Sequence, residues 1–232
     1  MGGSLMLSFN MFAADIWLVG DSTMCDYPRN SVQQGWGTYL QQFCKKGVKV
    51  YNCAKGGRST KSFREQGFWE KMIVEVKEGD FVLLGMAIND SANKKIRPQN
   101  HTELGGEFEG NLKQYIKEIR QKGAIPMLTT STVIYSANGL TRNAGTLRKY
   151  NEAIILVAKE TGTDIVDLND CAFQKIKAMQ FAEVYPMYMA SAGTGEQKND
   201  YCHTKAKGAL FFSDCFVQLC QKDKLPIAAL LK

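Results

Sequence analysis

Histidine is scarce in this 232-residue sequence, with only His101 and His203, and its seven cysteines form no C-x-x-C pair. A zinc site therefore has few ligands to draw on, and no metal is expected. The cysteines, at positions 25, 44, 53, 171, 202, 215 and 220, leave one thiol over in any full pairing. They read as small buried hydrophobes, with a single disulfide left open and no pair to choose. Long basic runs are missing too, as is any basic patch interleaved with aromatics. Nucleic acid is thus not an expected partner, although the net charge is +6. The densest basic cluster, Lys94-Lys95-Ile96-Arg97, falls in a loop-like stretch. A G-x-G-x-x-G loop is absent, so a dinucleotide cofactor has no support. Beyond the N-terminal leader, no apolar run approaches the roughly 20 residues needed to cross a bilayer.

The leader itself, MGGSLMLSFNMFAA, is uncharged up to Asp15 and ends in small residues. It resembles the apolar part of an export signal, without the basic segment that usually precedes one. The expectation is a leader over 1–14, a single domain over 15–232, and export to the periplasm or beyond. A chain of this length can bury one substantial core. Its mild positive charge suits solubility, or attraction to an anionic ligand.

From residue 15 onwards, short apolar runs alternate with longer amphipathic stretches. Ile16-Trp17-Leu18-Val19 is continuously apolar and ends at Gly20, as a strand buried on both faces would be. Further strands are expected over 48–53, 81–84, 125–129 and 164–168. Helices are expected over 36–46, 68–77, 108–121, 147–159 and 205–221. In the third of these, Leu112, Tyr115, Ile116 and Ile119 share one face. Strands separated by helices indicate βαβ units, a parallel sheet and helices on both faces. Ligands of such sheets bind at the carboxyl ends of the strands, so chemistry should follow strands one, two and three.

After strand one comes Gly20-Asp21-Ser22-Thr23, where a serine at a strand tip can expose both its hydroxyl and its N–H. Asp and Ser are also good helix caps, and no glycine follows to make the G-x-S-x-G elbow. After strand two, the glycines of Lys55-Gly56-Gly57-Arg58 let backbone approach a ligand closely, or simply make a turn. After strand three comes Ala87-Ile88-Asn89-Asp90, whose Asn amide could donate to developing negative charge. Near the C-terminus, Asp200-Tyr201-Cys202-His203 has a D-x-x-H spacing. It lets the carboxylate hold one ring nitrogen and leaves the other as a base. His101 has only Glu103 nearby, in a loop-like segment.

These four blocks, in this order, resemble the SGNH/GDSL hydrolase superfamily, with Ser22, Gly57, Asn89 and His203 in the signature positions. The resemblance runs over nearly the whole chain from Asp15. Gly35-Trp36-Gly37-Thr38-Tyr39-Leu40, Asn52 to Ser59, Lys122 to Pro126, Tyr150 to Ala153 and the D-x-x-H ending are similar to the rhamnogalacturonan acetylesterase group. That group usually shows G-H-N-D where this chain has Ala87-Ile88-Asn89-Asp90, a methyl gained and a polar side chain lost beside the site.

The resemblance implies a flavodoxin-like three-layer α/β/α sandwich with a five-stranded parallel sheet, and acyl transfer without metal or organic cofactor. Ser22 would be the nucleophile, His203 its base and Asp200 the residue orienting it. The N–H groups of Ser22 and Gly57 and the Asn89 amide would form the oxyanion hole. Asp21, Asp90, Arg58 and Ile88 would support the site or lie near the substrate. The expected substrate is an O-acetylated carbohydrate, of pectic type. A lipid esterase or thioesterase on the same fold and a carbohydrate-binding pseudoenzyme are the alternatives. Oligomeric state is not legible.

Overall fold

The computed structural model describes residues 14–136, 139–140, 146–192 and 199–232. All but the last residue of the expected leader lies outside the described residues.

Five strands build the main sheet: β1 (Ile16–Gly20), β2 (Val50–Asn52), β3 (Phe81–Gly85), β4 (Ile125–Thr129) and β5 (Asp164–Val166). Their order is β2-β1-β3-β4-β5, and every pairing is parallel. The order reverses between β2 and β3, around β1, which leaves a crevice at the carboxyl end of β1. Alternation along the buried strands splits the core in two, because successive side chains point to opposite faces. Ile16, Leu18, Phe81, Leu83 and Met127 belong to one apolar cluster; Trp17, Val19, Val82, Leu84 and Leu128 belong to the other.

Helices α1 (Gly37–Leu40), α6 (Leu168–Lys177) and α8 (Ala206–Lys222) cover the first face with Leu40, Ala172, Ile176, Phe212 and Phe216. Helices α2 (Thr60–Glu65), α3 (Phe68–Ile73), α4 (Glu107–Gln121) and α5 (Thr146–Thr161) cover the second with Phe63, Trp69, Tyr115, Ile116 and Ile154. A short helix, α7 (Phe181–Val184), lies in the connection between α6 and α8. This is the three-layer α/β architecture expected from the sequence, with the five-stranded parallel sheet between two layers of helices. Among the described residues, no helix is long and apolar enough to cross a membrane. All seven cysteines are free thiols, and Cys25, Cys44, Cys215 and Cys220 are buried.

Several elements are shorter than the sequence suggests. In place of a helix over 36–46 there is the single turn of α1 and a 3-10 turn at Gln41–Phe43. The C-terminal tail takes over the following backbone: Cys44 bridges Leu231, and the Lys45 N–H donates to the Leu230 carbonyl at 2.8 Å. The helix expected to reach residue 77 ends at Ile73, and the Lys77 N–H donates instead to the Asp80 carboxylate at 3.0 Å. Strand β5 stops at Val166 because the Asp167 side chain accepts the Asp170 N–H and starts α6.

Candidate active site

Beyond Gly20 the chain leaves β1 in a tight turn, in which the Met24 and Cys25 N–H groups donate to the Asp21 carbonyl at 3.2 and 3.0 Å. The buried Asp21 carboxylate accepts the Thr23 N–H at 2.9 Å and the Thr23 hydroxyl at 2.8 Å. These bonds fix the backbone on both sides of Ser22. From outside, Tyr27 donates its hydroxyl to the Ser22 carbonyl at 2.9 Å. The Asn52 amide donates to the Met24 carbonyl at 2.9 Å.

The Gly35-Trp36-Gly37 segment then lies directly on this turn. Trp36 N–H donates to the Thr23 carbonyl at 2.9 Å and Gly37 N–H to the Met24 carbonyl at 3.1 Å. A Cβ at Gly35 would overlap the Cys25 carbonyl oxygen, so only glycine allows this approach.

His203 arrives from the far end of the chain on a loop held at several points. Thr204–Lys205 pairs antiparallel with Gln33–Gln34, in the segment that leads from the Ser22 turn to Trp36. Ala190 N–H donates to the Asp200 carbonyl at 2.8 Å and Met189 N–H to the His203 carbonyl at 2.9 Å. The Asp200 Oδ1 accepts the N–H groups of Cys202 and His203 at 3.1 and 2.9 Å, while Oδ2 sits 2.9 Å from His203 Nδ1. On the other side of the ring, Nε2 is 2.9 Å from Ser22 Oγ. An ionised carboxylate can only accept, so Nδ1 carries the ring hydrogen and Nε2 is left to accept the serine O–H. Asp200, His203 and Ser22 thus form one hydrogen-bonded chain across 181 residues of sequence.

The electrostatics favour a proton on this imidazole once it arrives. The Asp200 hydrogen bond raises the His203 pKa above the ordinary histidine value against the opposing effect of burial, and the negative charge of Asp21 adds to it. Burial works to raise Asp200, but the hydrogen bonds from His203 and Cys202 outweigh it and hold the carboxyl below its ordinary range. Burial pushes Asp21 up, opposed by its bonds from Thr23.

The turn after β2 closes against Ser22. Lys55 N–H donates to the Gly20 carbonyl at 2.9 Å, and a Cβ at Gly56 would touch the Ser22 Cβ at 3.7 Å. Gly57 has φ +77°, a left-handed conformation that glycine adopts without strain. Among the described residues, neither the Ser22 nor the Gly57 N–H has an acceptor. Asn89 donates one amide hydrogen to the Arg58 carbonyl at 3.1 Å, which ties the turns after β2 and β3 together and leaves its second hydrogen free. The Arg58 guanidinium braces its own turn, donating to the Gly56 carbonyl at 2.5 Å and to Gln66 at 3.0 Å, and lies over the Phe68 ring.

Asp90 is wholly buried behind Asn89. It accepts the Thr60 N–H at 3.0 Å, the Thr60 hydroxyl at 2.6 Å and the Thr102 hydroxyl at 3.0 Å. Burial raises its pKa to about 7 despite these bonds. Ala87 is fully buried, and Ile88 is half-buried against the second apolar cluster. His101 stays apart, 2.8 Å from the Ala92 carbonyl and 3.4 Å from Glu103. Among the described residues, no group of three or more His, Cys, Asp or Glu side chains could hold a metal ion.

The structure therefore brings Ser22, Asp200 and His203 into direct contact and lays the Gly56–Gly57 turn against Ser22, with Asn89 tied to that turn through the Arg58 carbonyl. Asp21, Asp90 and Arg58 act on the backbone of the surrounding turns. Sequence reasoning missed the bracing by Tyr27, Thr60 and Thr102, and the job of Asn52 and the Gly35-Trp36-Gly37 segment, which stood out only as matching motifs. No local spacing announces these contacts.

Comparison with known proteins places the chain in a defined company. The model of the GDSL-like Lipase/Acylhydrolase family matches residues 18–208. The probable rhamnogalacturonan acetylesterase YesY of Bacillus subtilis is 33% identical over 198 residues, covering 85% of this chain and 88% of that protein. Rhamnogalacturonan acetylesterase RhgT, also of Bacillus subtilis, is 33% identical over 156 residues, covering 66% of this chain and 64% of its own length. The crystal structure of YxiM from Bacillus subtilis superposes with a TM-score of 0.78 at 27% identity, covering 92% of this chain but only 57% of that one. Axe2, an acetylxylan esterase from Geobacillus stearothermophilus, shares the fold with a TM-score of 0.65 at 18% identity, covering 89% and 93% of the two chains.

Proposed function

The chain belongs to the GDSL-like lipase/acylhydrolase family, hydrolases of ester bonds, and from that premise we propose that it is a serine acetylesterase that removes O-acetyl groups from a pectic, rhamnogalacturonan-like carbohydrate. The observation that carries the chemistry is the unbroken Asp200–His203–Ser22 hydrogen-bonded chain at the carboxyl end of β1. His203 Nε2 takes the Ser22 proton as Oγ attacks the ester carbonyl, giving a tetrahedral adduct. The rising charge on His203 is balanced by Asp200 and by the buried Asp21. The free N–H groups of Ser22 and Gly57, with the second amide hydrogen of Asn89, serve the oxyanion. His203 then delivers the proton taken from Ser22 to the sugar oxygen as its bond to the carbonyl carbon breaks. Water, giving its proton to His203, attacks the acetyl-Ser22 ester and releases acetate and Ser22.

Two points support the substrate. Two of the curated relatives, covering 85% and 66% of the chain, are named a probable rhamnogalacturonan acetylesterase and a rhamnogalacturonan acetylesterase. Lys55 and Arg58 flank the Gly56–Gly57 turn and form no ion pair among the described residues, which suits a uronate-bearing polymer. The test is acetate release from acetylated rhamnogalacturonan and acetylated xylan, alongside acetyl, butyryl and octanoyl aryl esters. The reading predicts acetyl preference and faster release from rhamnogalacturonan. An octanoyl preference overturns it in favour of a lipid esterase.

A further inference from the structure

Beside the Asp200–His203 loop runs a continuous row of rings. Phe181, on α7, stacks on Tyr185 with centroids 5.0 Å apart and planes 22° from parallel. Tyr185 lies 6.4 Å from Tyr201, which sits between Asp200 and His203 in sequence. Buried Tyr135 forms the base of the row, within 6.1 Å of Phe181 and 5.9 Å of Tyr201. Yet Phe181 is 54% exposed, and Tyr185 and Tyr201 are only half-buried.

A single exposed apolar side chain calls for no explanation, but a contiguous aromatic strip that ends at the catalytic loop does. The strip is also held in place. The Tyr185 hydroxyl donates to the Ala190 carbonyl at 3.0 Å, Ala190 N–H donates to the Asp200 carbonyl, and Tyr135 N–H donates to the Tyr201 carbonyl at 3.0 Å. The rings are thus tied to the backbone that positions His203, and any group resting on them has a fixed relation to Ser22.

We propose that Phe181, Tyr185 and Tyr201 form a stacking subsite for a pyranose ring of the oligosaccharide, next to the acetylated sugar in the catalytic crevice. The proposal rests on the carbohydrate reading above. One face of a pyranose is a patch of C–H groups with hydroxyls around its rim. The π-face of an aromatic ring is negative and attracts those hydrogens, while the rim stays in water. A long acyl chain would instead need an enclosed apolar groove, which a row of half-exposed rings does not provide.

The test compares wild type with Phe181→Leu, Phe181→Trp and the control Val74→Ala. Val74 is equally apolar and 65% exposed, but its carbonyl accepts from Lys122, at the amino-terminal end of the sheet. The readout is kcat/KM on acetylated rhamnogalacturonan oligosaccharides divided by kcat/KM on 4-nitrophenyl acetate. Leucine keeps apolar bulk and removes the ring face. The ratio should fall about three- to tenfold in Phe181→Leu through KM, in line with one aromatic contact. It should hold in Phe181→Trp and Val74→Ala. An unchanged ratio in Phe181→Leu, with wild type deacetylating the oligosaccharide, overturns the subsite and leaves the proposed function standing. Wild type that cleaves the aryl acetate but no acetylated carbohydrate overturns both. A selective loss of octanoyl ester turnover in Phe181→Leu overturns the subsite in favour of an acyl-chain surface.

Discussion

Replacing Asp200 by Asn changes one atom of the hydrogen-bonded chain and probes the role assigned to it. Asp200 Oδ1 accepts two backbone N–H groups, from Cys202 and His203, and Oδ2 faces His203 Nδ1. An asparagine that keeps its carbonyl on those N–H groups must present its NH₂ to Nδ1. That forces Nδ1 to accept and moves the ring hydrogen to Nε2, where an N–H now points at Ser22 Oγ. The geometry survives while the base is lost, and this wrong-tautomer effect costs about 10⁴ in kcat in a triad of this kind. If the asparagine turns the other way, two backbone donors lose their acceptor, and the loop is destabilised by about 1–3 kcal/mol for each donor left buried. The assay is initial-rate hydrolysis of 4-nitrophenyl acetate, with thermal unfolding of the same preparation. A loss of about 10³–10⁴ in kcat with a nearly unchanged Tm identifies the tautomer effect. A kcat within threefold of wild type refutes the assigned role of Asp200.

Asn89→Ala removes the amide proposed for the oxyanion and the link to the Arg58 carbonyl, so kcat should fall by about 10²–10³ with a smaller change in KM; steady-state kinetics read this directly. The base must be neutral, and the Asp200 hydrogen bond raises the His203 pKa, so kcat/KM should climb with rising pH and reach half its plateau above pH 6.5. A midpoint at or below that value contradicts the pairing. Asp90 is an acid whose folded pKa is raised to about 7 from 3.8, so its environment favours the folded state most below about pH 4, and that contribution declines as pH rises towards 7. Asp90→Asn keeps an oxygen for Thr60 and Thr102 and carries no charge. Its Tm relative to wild type should therefore rise between pH 4 and pH 7, as measured by calorimetry across that range.

What could be read from the sequence follows from how local each signal is. The buried runs Ile16 to Val19 and Phe81 to Leu84 are apolar because both faces of the central strands are covered, and that marks them in one dimension. Helix α4 declares itself by the spacing of Leu112, Tyr115, Ile116 and Ile119. By contrast, the helix expected after Trp36 loses its second half to the chain terminus, since Leu230 and Leu231 compete for the backbone of Cys44 and Lys45. The pairing of Gln33–Gln34 with Thr204–Lys205 is too short and too polar to leave a pattern, although it sets His203 beside Ser22. Within the site, Asp200 and His203 are legible because only two residues separate partners that touch. Tyr27, Thr60 and Thr102 are not, because each acts on a turn from another part of the chain. The aromatic row from Phe181 to Tyr201 is likewise a product of tertiary packing.

The central claim is that Ser22 is a nucleophile activated by His203. Treating the full chain with a fluorophosphonate ester and mapping the adduct by peptide mass spectrometry tests it most directly. The account predicts one adduct per chain, on the peptide carrying Ser22, formed more slowly when substrate is present and absent from His203→Ala. A protein that hydrolyses 4-nitrophenyl acetate while Ser22 stays unlabelled, or that labels on another residue, contradicts it.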